Sequence, residues 1–303
     1  MTTANLLHHF REFYFKNYPD DMEIMISYFA VFGGLDITLD TSEPLEEQLQ
    51  KYIFNNYTQL NEKILNLTLH KKEYSRLLRA FAIGDRRIFG AFNKAGLNNK
   101  NGGVALEYLQ NRGIVELEYS RETHPREKYN KTKLSRQEAR HRISHKVLFG
   151  YPFLRFWFYF VTPHAKEIEK GDFSQALTEF QHKQNSYTSL VFEELSQLLL
   201  NYHLRDESIE TTGSYWDAKI EIDILTTTNK NNIYIAECKW TNHKVNKKEL
   251  HKLKDKLEKL EIEPTQIIFF SKRGFSKEMQ QLQGKELALF SSDDFEILLR
   301  SNS

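Results

Sequence analysis

The stretch WDAKIEIDIL at 216–225, the polar TTTNKNN at 226–232 and IYIAECKW at 233–240 decide how this chain is read. Two runs of alternating apolar and charged residues around a polar link predict a strand, a turn and a strand. Period two places Glu221, Asp223 and Leu225 on one face of the first strand, and Ile220, Ile222 and Ile224 on the other. Glu237 and Lys239, two apart, share a face of the second strand. Cys238 between them points away and reads as a small buried hydrophobe. Carboxylates on adjacent strands repel unless they are protonated or bridged by a cation, and a hard oxygen-liganded ion such as Mg2+ or Mn2+ resolves the repulsion. Such an ion polarises a phosphodiester and activates water, while a neighbouring lysine stabilises the developing charge. The same spacing also suits a salt-bridged ladder on a half-exposed sheet. Spacing leaves both readings open.

Working outward, YTSLVFEELSQLLLNYHL at 187–204 predicts a helix, with Val191, Leu195, Leu198, Leu199 and Tyr202 in one stripe. Downstream, residues 247–262 predict a helix with leucines at 250, 253, 257 and 260, and TQIIFFS at 265–271 predicts a buried strand. A short helix over 275–283, a further short strand and a terminal helix complete an α-β-β-α-β-α-β-α order. Strands alternating with crossover helices imply an α/β sheet covered on both faces.

Four regions are expected: a helical extension at 1–66, a compact unit at 67–146, an aromatic connecting segment at 147–186 and the α/β domain at 187–303. In the first, EPLEEQLQKYIFNNY at 43–57 has helical spacing, and the apolar MEIMISYFAVF at 22–32 stops at Gly33-Gly34. In the second, HKKEYSRLLRAFAIG, DRRIFGAFNKAG and NNKNGGVALEYLQNRG predict three short helices, and IVELEYS at 114–120 a strand. That is the order of a winged helix-turn-helix, which sets one helix in the major groove; a plain helical packing unit fits the same pattern.

Net charge is +1, so overall charge does not choose a partner, but its distribution is uneven. Residues 121–146 form a basic arm, and 239–259 hold eight lysines against three acids. His243, Lys244, Lys247 and Lys248 follow the second strand and are candidates to face phosphate. His8-His9 and the pair His141 and His145 read as ordinary surface histidines, since no H-E-x-x-H pattern accompanies them. The single cysteine excludes a disulfide framework within the chain and a cysteine-built zinc site. LFGYPFLRFWFYFV at 148–161 is too short to span a bilayer and contains Arg155. The opening MTTANLLHHF lacks the pattern of a secretory leader, so a cytoplasmic protein with no membrane contact is expected.

The two strands resemble the core of the PD-(D/E)XK nuclease superfamily, and in detail the C-terminal region of the DUF234 group of archaeal-type ATPases. VFEEL at 191–195 is similar to the first helix of that core, and YPFLRFWFYF at 151–160 to the segment joining winged helix and nuclease-like part. The resemblance implies a winged helix-turn-helix followed by a restriction-endonuclease-like fold. It implies Asp223 and Glu237 as metal ligands, Lys239 as the catalytic lysine and Glu193 as the helix carboxylate assisting the metal. The apolar stripe puts Glu194 nearer the packed face, so the choice between the two glutamates stays open here. Those ATPases carry a P-loop, and no G-x-x-x-x-G-K-[ST] occurs in this sequence. The expected function is metal-dependent hydrolysis of DNA, alone, as a homodimer or beside a separate motor or regulatory protein. The alternative is a DNA-binding or regulatory interaction module that keeps a nuclease fold without cutting.

Overall fold

The computed structural model describes residues 3–122 and 142–300. Most of the basic arm, and His141 with it, lies outside the described residues. The N-terminal part is helical: α1 (Thr3–Asn17), α2 (Met22–Phe32), α3 (Leu45–Leu49) and α4 (Tyr57–Leu67). Helix α2 starts where Asp21 accepts the backbone N–H of Ile24 at 2.7 Å. Eight of its eleven residues are buried, so it is a core pillar rather than an amphipathic surface helix. It ends at Gly33. Gly34 has φ +92°, and a Cβ there would lie 2.4 Å from that of Tyr151, so only glycine fits. The helix expected at 43–57 is interrupted: a π turn over Gln50–Phe54 follows α3, and both Ile53 and Phe54 are buried.

Helices α5 (Lys72–Ile83), α6 (Ile88–Lys94) and α7 (Asn99–Asn111) lead into an antiparallel ribbon of β1 (Val115–Glu118) and β2 (Lys146–Phe149). Helix α8 (Pro152–Phe156) continues through a π turn over Trp157–Val161, which buries Trp157, Phe158, Phe160 and Val161. After α9 (Ala165–Glu169) comes α10 (Ser174–His203), a 30-residue helix. It runs unbroken across position 187, so the boundary expected there lies inside one helix.

The sheet then follows: β3 (Ile209–Trp216), β4 (Glu221–Thr228), β5 (Ile233–Lys239), helix α11 (Lys247–Leu260), β6 (Gln266–Ser271), α12 (Lys277–Gln280) and β7 (Leu287–Ser291), with a closing 3-10 turn at Ser292–Leu299. Strand order is β3-β4-β5-β6-β7. The first three are antiparallel and the last three parallel, so the architecture is mixed α/β behind a helical N-terminal region. Strand β3 escaped the sequence reading. It is an edge strand of mostly half-exposed polar residues, and Gly213 in it has φ +143°. The alternation that marks a strand is therefore missing from its sequence.

One face of the sheet packs on α10. Its core continues through Phe29, Phe156 and Phe192 into the N-terminal helices, so the helical region and the sheet share one hydrophobic interior. The other face is smaller and packs on Leu250, Leu253 and Leu257 of α11.

The β1–β2 ribbon is fastened to the β3 edge by polar contacts. Glu118 accepts the backbone N–H of Ser214 at 3.0 Å. Trp216 Nε1 donates to the carbonyl of Ser144 at 3.0 Å. Arg121 donates to the carbonyls of Gly213 and of Leu225, the latter at 2.8 Å. These oxygens lie beside the register shift between β3 and β4. Arg121→Met is expected to lower stability by about 1–3 kcal/mol, because it removes the charged donor from part-buried carbonyls, while Glu118 keeps its pairing with Arg86. A urea melt showing a loss under about 0.5 kcal/mol, the range of an ordinary surface change, would show that the clamp does not matter.

Candidate functional site

Asp223 stands where β4 and β5 part. Their ladder ends at Ile224 opposite Ala236, and beyond it Asp223 Oδ2 accepts the backbone N–H of Cys238 at 2.8 Å. The carboxylate thus takes a donor that a strand carbonyl would otherwise take.

Strict alternation along β4, expected from the sequence, does not hold. Gly213 pairs with Leu225 but Tyr215 pairs with Ile222, so between these pairs β4 has two residues, Asp223 and Ile224, where β3 has one, Ser214. This bulge resets the faces. Ile222 and Leu225 both enter the core beneath α11, while Ile224 enters the core on the α10 side. The expectation that Ile222 and Ile224 share a face, with Leu225 opposite, is corrected on that ground.

Strand β5 keeps its alternation. Ala236, Cys238 and Trp240 pack toward α10, and Ile235 packs toward α11. Glu237 and Lys239 therefore lie on the α11 side. Cys238 is buried, and burial followed by the charges of Asp223 and Glu193 pushes its thiol well above the usual range, so it is no nucleophile. Glu237 is 7 % exposed. Lys239 Nζ donates to Glu237 Oε1 at 2.6 Å. Burial pulls the Lys239 ammonium down, but Glu237 and Asp223 outweigh it and the net shift is upward, so the lysine is held as a cation.

The long helix α10 brings in the third acid. Asp223 is pushed well above the carboxylate range by burial first, then by the negative charges of Glu193 and Glu237. Glu193 is raised to about 7 by burial and by Glu221, against the pull of Arg86. Glu194 is also raised to about 7, again by burial, but it faces Arg86, Arg155 and Glu118. Of the two neighbours, Glu193 is the one whose charge Asp223 feels.

Several contributors were not legible in sequence. Lys256 of α11 approaches Glu237 Oε2 at 3.1 Å and Oε1 at 3.3 Å. Its only sequence signal is a place beside the leucine stripe. Lys146, at the end of the basic arm, is 2 % exposed; it pairs with Glu221 and sits 4.5 Å over the Trp216 ring. Arg86, at φ 65° in the α5–α6 link, bears on both glutamates of α10. Arg155, buried, donates to the carbonyl of Tyr187 at 2.9 Å and stacks on its ring. The phosphate candidates His243, Lys244, Lys247 and Lys248 are exposed. His145 accepts the backbone N–H of Ser120 at 3.1 Å, a structural role in the ribbon. His8 and His9 both lie beside Glu12 on α1.

The carboxyl groups of Asp223 and Glu193, half-buried, and of Glu237, buried, suit Mg2+ or Mn2+ by donor chemistry. Among the described residues, however, no three His, Cys, Asp or Glu side chains are arranged as a ready metal cage. Both Glu237 oxygens are engaged by ammonium groups instead. The donor set fits a hard cation once Glu237 gives up a lysine.

Among the described residues no helix is long and apolar enough to cross a membrane. No curated protein matches the sequence. Among solved structures, the chain is similar to a crystal structure of protein VC1899 from Vibrio cholerae, with 16 % identity and a TM-score of 0.28 over 85 % of this chain and 55 % of that one. The chain therefore spans about half the length of that protein. Residues 157–253, from the π turn after α8 through the first half of α11, match DUF234, a family described as archaea bacterial proteins of unknown function.

Proposed function

We propose that this chain is a metal-dependent nuclease acting on DNA, with a restriction-endonuclease-like C-terminal layer and a winged-helix-like unit over 72–149. The observation that carries the reading is that Glu193 of α10 and Glu237 of β5 both bear on Asp223 of β4, where Asp223 holds the Cys238 N–H at 2.8 Å and Lys239 holds Glu237 at 2.6 Å. Repelling acids inside a protein cost stability, and a cation-dependent task accounts for keeping them there. A helix, three antiparallel strands, a crossover helix and a parallel strand support the same fold reading.

A bound Mg2+ or Mn2+ would supply charge to polarise a phosphodiester and activate water. Asp223 and Glu237 would hold it, and Glu193 would add negative charge from the helix side. Lys239, kept protonated, would donate to a phosphoryl oxygen as charge develops there. Upstream, α7 presents Asn99, Lys100, Asn101 and Val104 to solvent, a helix face suited to base edges and phosphates. The ribbon beside it is tied to β3, so the helix rather than the wing would make the groove contact.

The second reading, a binding or regulatory module with a nuclease-like scaffold, is favoured by one observation: Glu237 is already neutralised by two lysines. The assay that separates them offers linear, supercoiled and single-stranded DNA with Mg2+, Mn2+ or chelator. Ion-dependent cutting is expected, and Lys239→Met is expected to slow it on the order of 10²–10³-fold with DNA affinity little changed. No cutting of any substrate under any ion leaves the scaffold reading standing.

A further inference from the structure

The two lysines on Glu237 come from different places. Lys239 lies on the same strand, two residues away; Lys256 reaches across from α11. We propose that Lys256 occupies the cation position at Glu237 when no divalent ion is bound, and that on metal binding it is released to hold a phosphate of the nucleic acid. The proposal rests on the nuclease reading and deepens it by naming a substrate contact that the motif does not contain.

The contacts support the exchange. The ammonium of Lys256 cannot stay in contact with both Glu237 oxygens if one of them takes a metal, because both compete for the same lone pairs. A lysine suits such a change of partner, being a point charge on a four-carbon stem. Its side chain is 34 % exposed, so it can turn outward. On the same flank of α11, Lys252 lies one turn before it and Lys259 one turn after, both exposed. A released Lys256 would join a basic line beside the site.

This arrangement gives opposite signs for two measurements on one variant. Lys256→Met keeps length and removes charge. In the full chain without DNA it is expected to bind Mn2+ on the order of tenfold more tightly, followed by electron paramagnetic resonance of free Mn2+. At saturating Mn2+ it is expected to cut DNA at least about tenfold more slowly. Lys252→Met, which removes the same charge one turn away, is expected to shift Mn2+ affinity less than about twofold, as an exposed and screened charge should. Amine labelling of the unmodified protein, read by mass spectrometry, tests the exchange without a substitution. Labelling of Lys256 should rise several-fold on adding Mn2+ and fall again when DNA is added.

Unchanged or weaker Mn2+ binding by Lys256→Met overturns the proposal, as does labelling of Lys256 that ignores Mn2+. If the unmodified chain binds Mn2+ and cuts DNA but these signs are absent, only the role of Lys256 is wrong. If it binds no Mn2+ at all, the metal reading fails and takes this proposal with it.

Discussion

Asp223→Asn is expected to reduce DNA cleavage on the order of 10³-fold and, in the same molecule, to raise stability by about 1–2 kcal/mol. Both effects have one source. The carboxyl of Asp223 is half-buried beside the charges of Glu193 and Glu237, and its ionised form is held at a disadvantage by all three circumstances. Asparagine keeps an acceptor for the Cys238 N–H, so the strand ends stay joined without the charge. What is lost is the anion that a cation would need. Urea denaturation without divalent ion measures the stability gain, and cleavage at saturating Mn2+ the loss of activity. Adding Mn2+ should stabilise the unmodified protein and leave the variant nearly unmoved. A variant that is both inactive and less stable would place Asp223 among ordinary structural carboxylates.

The second large effect is a stability that falls as pH rises, opposite to the common behaviour of acid-sensitive proteins. Glu193 and Glu194 in the folded chain titrate near 7, against 4.5 for an ordinary glutamate. Between those two values the folded state holds protons that the unfolded state has released. Raising pH therefore favours unfolding across that window, and the stabilisation present below about 4.5 is lost by the time pH passes about 7. Each group contributes at most about 3.5 kcal/mol, since proton affinity gains about two and a half tenfold steps on folding and each step is worth about 1.4 kcal/mol. The two contributions are not simply additive, because the charge of Glu194 itself raises Glu193. Urea melts at intervals from about pH 4.5 to about pH 8, without divalent ion, should show the decline. Glu194→Gln should remove about half of the slope. Mg2+ should flatten the part due to Glu193, whose neighbour is Asp223, and leave the part due to Glu194, which faces Arg86 and Arg155. A flat profile, or one that rises with pH, would mean that these glutamates are better solvated or better paired than their surroundings indicate.

Both predictions depend on residues whose meeting local pattern alone could not specify. Alternation in KIEIDIL and IYIAECKW was enough to identify β4 and β5, and to put Glu237 and Lys239 on one face with Cys238 turned away. Period two is a property of the chain itself and survives any packing that leaves the strand straight. The helices α2, α5 and α11, the short helix within 275–283 and the apolar β6 were equally legible, since caps and apolar spacing act within a few residues. Strand β3 was not, because an edge strand with one buried apolar end and a glycine in its middle needs β4 beside it to become a strand.

The site divides along the same line. Spacing put Glu237 and Lys239 on one strand face and Asp223 on the strand before it, and the resemblance to the nuclease core implied their roles. The approach of Glu193 rather than Glu194 depended on how α10 rests on the sheet, and a turn of the helix by one residue is below what an apolar stripe resolves. The placing of Ile222 and Leu225 on one face depended on an extra residue in β4, a mismatch between two strands that neither sequence contains alone. Lys146 and Lys256 looked like members of basic runs bound for solvent. Only the docking of the ribbon on β3 and of α11 beneath β5 turned them inward to Glu221 and Glu237. Hydrophobic periodicity is a short-range signal and is carried by the sequence; which charges end up opposite one another is a long-range outcome of packing, and it is there that the chemistry of this chain was decided.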